Sequence, residues 1–197
     1  MRQNMKIWLT DMLNAPAKKA MPVLSFPAIQ LMGISVLDLI SSSENQAKAM
    51  KLITERVDTA ASLSLMDLSV EAECFGSAIH KSAYEVPTVT GSIVSTNEDA
   101  EALEVPPVGS GRTGIYIEAV EKAVSRITDR PVLAGTIGPF SLAGRLMNVT
   151  DIMIYCYDDP DMVHAVMEKA AAFCTDYCLA YKAAGANGVV MAEPLTG

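Results

Sequence analysis

Apolar positions along this chain fall into short runs separated by stripes at helical spacing. Residues 6–13 (KIWLTDML) pattern as a short helix stopped by Asn14 and Pro16, and residues 21–26 (MPVLSF) as a first buried strand, with Pro22 tolerated at its start. After a loop containing Gly33, Ser43 and Glu44 open a helix whose apolar residues Met50, Ile53, Val57, Ala60 and Ala61 recur through Ser62. That helix leads into residues 64–76 (SLMDLSVEAECFG), which begin as a second apolar run, read as a strand, and then set down Asp67, Glu71 and Glu73. Residues 76–94 alternate weakly, carry Pro87 and Gly91, and read as an extended excursion able to cover a site.

The second part of the chain is more regular. A short acidic helix (97–103) and a turn-rich connection (105–114) precede a helix over 115–127, and residues 131–136 (PVLAGT) form the third strand. Gly138 permits a tight turn, and Pro139 suits the first position of a helix that continues from Phe140. Asp158, Asp159 and Pro160 make a helix start, with Asp159 as cap. From there Val163, Val166, Met167, Ala170, Cys174, Tyr177, Cys178 and Tyr181 form a core stripe ending at Gly185, and residues 188–192 (GVVMA) make the fourth strand, followed at once by Glu193.

Four strand and helix repeats predict an α/β fold, the N-terminal half of a (β/α)8 TIM barrel with about four parallel strands. A complete barrel takes about 250 residues, so residues 1–197 are expected to be a partial domain with an open parallel edge. Active sites in such barrels are built at the C-terminal ends of the strands. Asp67 and Glu193 both stand there and are the candidate catalytic acids, with Glu71 beside them.

Composition narrows the function. Half the residues are apolar, enough for a substantial core, and 15 Lys and Arg against 23 Asp and Glu give a net charge of -8 without a cationic run, which argues against nucleic acid. No stretch reads as a signal peptide or membrane span, so a cytoplasmic location is expected. Cys74, Cys156, Cys174 and Cys178 are expected to be reduced thiols. Cys174 and Cys178 stand at i, i+4, where two thiols can share a metal, but on an apolar stripe without a third ligand they read as core residues.

Three other features carry two readings each. His80 is a pocket histidine or, more commonly for an isolated histidine, a structural one. Gly109, Gly111 and Gly114 spell G-x-G-x-x-G, a dinucleotide fingerprint when it follows a parallel strand; after Pro106 and Pro107 it reads better as a flexible loop presenting Arg112. The backbone N–H groups opened by Gly138, Pro139 and Phe140 hold an anion, or simply complete a βα turn.

MDLSVEAECFG at residues 66–76, AGTIGPFSLAG at 134–144, DDPDMVHAVMEKA at 158–170 and AAGANGVVMAEPLTG at 183–197 together resemble the uroporphyrinogen decarboxylase superfamily. The likeness is to its cobalamin-dependent branch, which passes a methyl group from a methylated corrinoid protein to a thiol such as coenzyme M. It runs across nearly the whole chain and implies a (β/α)8 barrel. It also implies a rim aspartate, matched by Asp67, and in the decarboxylases an arginine-rich loop after the first strand. Here residues 27–35 read PAIQLMGIS without arginine, a poor match to a polycarboxylated tetrapyrrole. The resemblance therefore implies methyl transfer, with tetrapyrrole decarboxylation and a non-catalytic tetrapyrrole-binding or chain-pairing half-barrel as alternatives. It further implies a zinc ion that activates the thiol, with His and Cys ligands expected beyond Gly197 and no metal ligand in this chain. The expected partners are the corrinoid protein and a small thiol or tetrapyrrole; a homo-oligomer is compatible with all of these.

Overall fold

The chain enters its fold through a capped helix. In the computed structural model, which describes residues 3–196, α1 (Met5–Asn14) starts where the Asn4 side chain accepts from the N–H groups of Lys6 and Ile7. Its Trp8 donates its indole N–H to the Ala60 carbonyl at 3.3 Å, and Met5 and Trp8 pack on Ala61, Leu63 and Leu133. Residues 21–26, expected as the first strand, form no ladder. Pro22 lacks an N–H; the segment touches β1 through Ser25 Oγ to Leu63 O at 3.5 Å, and just ahead of it Ala20 O accepts from the Ala60 N–H at 2.9 Å.

Two short helices absent from the sequence reading follow, α2 (Ala28–Met32) and α3 (Val36–Ile40), the latter with a Ser35/Asp38 capping box. α4 (Ser43–Arg56) begins as expected but stops six residues before Ser62. Arg130 explains the stop: its guanidinium donates to the Val57 and Thr59 carbonyls at 3.1 Å each, satisfying them outside a helix.

β1 (Ser62–Leu63) comes next, with α5 (Val70–Cys74) carrying Glu71 and Glu73 as helical residues. The excursion is an antiparallel hairpin, β2 (Ala78–His80) with β3 (Thr88–Thr90). α6 (Asn97–Ala102), α7 (Arg112–Arg126), β4 (Val132–Ile137) and α8 (Pro139–Met147) follow. At Asn148, where φ is 72°, the chain turns into α9 (Val149–Asp158), a helix the sequence reading did not separate. α10 (Pro160–Ala183) and β5 (Gly188–Ala192) complete it.

The strands form a parallel sheet in the order β1-β4-β5, with Leu63 opposite Leu133 and Ile137 opposite Ala192. This is an α/β fold, part of a (β/α)8 barrel. Its parallel sheet has three strands among the described residues, one fewer than expected, because residues 21–26 do not join it. Fully buried β4 lies in the middle, and the core is filled by Met50 of α4, Tyr116 and Val120 of α7 and a stack on α10. Phe75, just after α5, leads into that stack, and Phe75, Phe173, Tyr177 and Tyr181 follow one another at ring separations of 5.2, 5.8 and 4.5 Å. α7 and α10 return the chain to the strand starts, so the connections before them, residues 64–111 and 138–159, lie at the strands' C-terminal ends. No described helix is long and apolar enough to cross a membrane.

Candidate active site

Asp67 stands four residues beyond β1, its side chain wholly buried. A carboxylate placed there must be compensated, and it is. Its Oδ1 accepts from the Ser69 N–H at 3.1 Å and the Ser69 hydroxyl at 2.6 Å. Its Oδ2 accepts from Arg112 Nη1 and from the Tyr116 hydroxyl at 2.8 Å. Burial, reinforced by this carboxylate, pushes the Tyr116 phenol well above its ordinary range, which keeps its proton available to Asp67. Arg112 also donates through Nη2 to Ser69 Oγ at 3.1 Å and through Nε to Glu73, whose other oxygen takes Lys81. Arg112 is thus the first residue of α7 and buried, not the exposed member of a flexible loop.

The glycines on either side of it shape that loop. Gly109 and Gly111 have positive φ, and a Cβ on Gly114 would meet the Gly109 carbonyl oxygen at 2.6 Å, so the spacing folds the loop onto the start of α7. No strand precedes it directly, as the dinucleotide reading requires.

Glu71, four residues along from Asp67, is 1% exposed and differently treated. Its Oε1 accepts from the Ile137 N–H at 3.1 Å and the Thr136 hydroxyl at 2.9 Å, at the end of β4, while Oε2 has no hydrogen-bond partner. Burial raises this carboxyl to about 7, against the two hydrogen bonds that favour the anion, and the Asp67 charge adds to the rise. Near neutral pH it therefore exchanges its proton. Burial, with Glu71 next in effect, also pushes the neighbouring Cys174 thiol up to about 12, and Cys178 rises for the same two reasons. These are protonated core thiols.

The turn after β4 does hold an anion, and the chain supplies it. Glu193, directly after β5, accepts from the Phe140 N–H at 3.1 Å and the Ser141 N–H at 2.7 Å, filling the N-terminus of α8. Gly138 is needed for room: a Cβ there would lie 1.9 Å from Glu193 Oε2. Pro139 occupies the first turn of α8, and Phe140 is half-buried beside it. Asp67, Glu71 and Glu193 therefore all gather at the C-terminal ends of parallel strands. His80 stands apart on the hairpin, its side chain 58% exposed and 3.7 Å from Glu85.

The residues that sequence reasoning missed are Arg112, Ser69 and Tyr116 as partners of Asp67, and Thr136 as a partner of Glu71. The one local signal was Arg112 and Tyr116 at i, i+4 on a shared face of α7. Among the described residues no three His, Cys, Asp or Glu side chains converge so as to hold a metal.

The profile of the uroporphyrinogen decarboxylase (URO-D) family matches residues 15–197. The methylcobamide:CoM methyltransferase MtbA of Methanosarcina acetivorans is 29% identical over 134 residues, 65% of this chain and 38% of that protein. The methylated-thiol–coenzyme M methyltransferase of Methanosarcina mazei is 27% identical over 132 residues, 65% and 35% of the two chains. The chain thus spans little more than a third of the length of these relatives. A solved methyltransferase from Methanosarcina mazei superimposes with a TM-score of 0.82 at 24% identity, over 97% of this chain and 59% of that one, a likeness of fold.

Proposed function

The chain belongs to the uroporphyrinogen decarboxylase family, and we propose that within it this chain forms part of a methyltransferase that moves a methyl group from a methylated corrinoid to a thiol such as coenzyme M. The relatives named for that reaction support the reading. The observation that carries it against decarboxylation is the distribution of cations. A polycarboxylated tetrapyrrole needs free guanidinium groups at the strand ends. Residues 27–35 offer none, and Arg112, which stands at that face, is consumed by Asp67, Ser69 and Glu73.

In the transfer a methylated corrinoid would supply the methyl carbon to the thiolate sulfur and leave demethylated with the electron pair of the broken bond, and the thiol proton would pass to solvent or a base. The zinc that the family resemblance implies would stabilise the thiolate. The described residues do not form a site for it, and no step in this chain runs through it. The chain's part is to shape the chamber: the saturated Asp67 fixes the first strand end, and the Glu193 clamp fixes the wall made by Gly138, Pro139 and Phe140. Glu71 sits between them as a carboxyl able to change charge near neutral pH.

The intact protein, incubated with methylcobalamin and coenzyme M, is expected to form methyl-coenzyme M with loss of the methylcobalamin absorbance. Carbon dioxide release from uroporphyrinogen III would replace this reading with decarboxylation. Tetrapyrrole binding with neither reaction would leave a binding role.

A further inference from the structure

Two successive pieces of the connection between β1 and α7 meet at one guanidinium, and a third, the hairpin, is tied to it through Glu73. Arg112 bonds to Asp67 and Ser69 just after β1, and to Glu73 on α5; Glu73 in turn takes Lys81 of the hairpin. Side-chain exposure climbs along this path, 0% at Asp67, 9% at Arg112, 23% at Glu73 and 36% at Lys81, so an anchor in the core ends in a tie at the surface. The hairpin it reaches is flanked by Gly76 and Gly91, with φ of 102° and 73°. A Cβ on either would meet nothing within 4 Å, so conformation alone requires glycine there, as at a hinge. The hairpin's other ties are few: Ala83 O accepts from the Val36 N–H at 2.9 Å, Val89 packs on the core, and Pro87 is buried.

We propose that Arg112 is a positioning residue for the reaction face. It holds the Glu73 carboxylate in the orientation that Lys81 can meet, and so sets where the hairpin rests beside the strand ends. The reason is energetic. A half-exposed Lys–Glu pair contributes little when both partners must be ordered for it; with Glu73 already fixed from its other oxygen by a buried guanidinium, only Lys81 has freedom to lose. The inference rests on the methyl-transfer reading for its kinetic consequence alone.

Amide hydrogen exchange on the intact protein tests it. Lys81→Ala is expected to speed exchange across residues 77–90 by roughly two- to fivefold, the range for an exposed ion pair. Arg112→Gln is expected to do the same, although Arg112 makes no hydrogen bond to the described hairpin, and also to loosen residues 64–75. In Asp67→Asn/Arg112→Gln the buried charge is gone from both sides, so residues 64–75 recover protection while the hairpin stays fast. That double variant carries the test should the single one not fold. With methylcobalamin as substrate, KM is expected to rise in Lys81→Ala and in the double variant by more than kcat falls. A hairpin with unchanged exchange in either Arg112 variant would leave Arg112 a local structural residue and overturn the proposal. Because exchange needs no turnover, a protein that transfers no methyl group would count against the functional reading and leave the positioning role to be decided by exchange.

Discussion

Asp67 and Glu71 lie four residues apart in the same motif and are both buried, yet the structure treats them as opposites. Asp67 receives four donors, one of them a guanidinium, spread over both oxygens. Glu71 receives two, both on Oε1, with no cation and an unpartnered Oε2. Burial sets the same penalty for both charges; the donors decide whether it is offset. Asp67 is thus tied to the scaffold through both oxygens, while burial raises the Glu71 carboxyl to about 7.

The most direct way to break the contrast is to take the cation from Asp67. Arg112→Met leaves a buried carboxylate with its neutral donors alone and is expected to destabilise the intact protein by about 3–5 kcal/mol, measured by urea unfolding. Asp67→Asn/Arg112→Met is expected to recover most of that loss, since no uncompensated charge remains. Equal losses in the single and double variants would mean that the pair acts through packing alone.

The converse experiment concerns Glu71. Its folded pKa is raised, so the native state holds the proton more tightly than the unfolded chain. The neutral form's stability is fully present below the unfolded value near 4.5 and is lost as pH rises toward 7, by about 3 kcal/mol in all from this group. Glu71→Gln is expected to flatten that slope between pH 5 and 8. If unfolding midpoints of the variant and the parent fall in parallel over that range, Glu71 is not the titrating group.

How much of this was legible in the sequence follows the range of the interactions. β4, β5 and the start of α10 were readable because a buried run, a Gly-Pro turn and an Asp-Pro cap are local signals. Residues 21–26 misled because an apolar run looks the same whether or not its backbone enters a ladder. The end of α4 was missed because Arg130, 74 residues beyond Arg56, takes the carbonyls that the helix would have used. The carboxylates were visible as candidates, but their chemistry was not. Arg112 is 45 residues from Asp67, and Thr136 is 65 from Glu71. Only the fold decides which acid meets a guanidinium.

Glu193 offers a case between the two, half-buried and held by two backbone N–H groups without a side-chain cation. Gly138→Ala should dislodge it, because the new methyl would occupy the space of Oε2. The expected cost is about 1–3 kcal/mol from overpacking and the lost helix-end bonds. Glu193→Gln/Gly138→Ala should then cost little more than Gly138→Ala alone, since the carboxylate has already left its donors. A fully additive pair would place Glu193 still on α8 in the alanine variant.

The smallest effect is expected where a carboxylate has water as an alternative. Asp159 caps α10 by accepting from the Met162 N–H at 3.2 Å, and its second oxygen accepts from Asn97 Nδ2 at 2.6 Å, tying α6 to the same corner. Half-buried, it faces little of the desolvation that governs Asp67 and Glu71, so its contribution should be that of its hydrogen bonds. Asp159→Ala is expected to cost about 1 kcal/mol, and Asp159→Asn only a few tenths, because asparagine keeps the cap through its oxygen and Asn97 can turn its amide to accept from the new Nδ2. Urea midpoints at neutral pH compare the two. A loss as large for asparagine as for alanine would mean that the charge itself stabilises this corner, and the rule drawn from the buried pair would then extend to the surface.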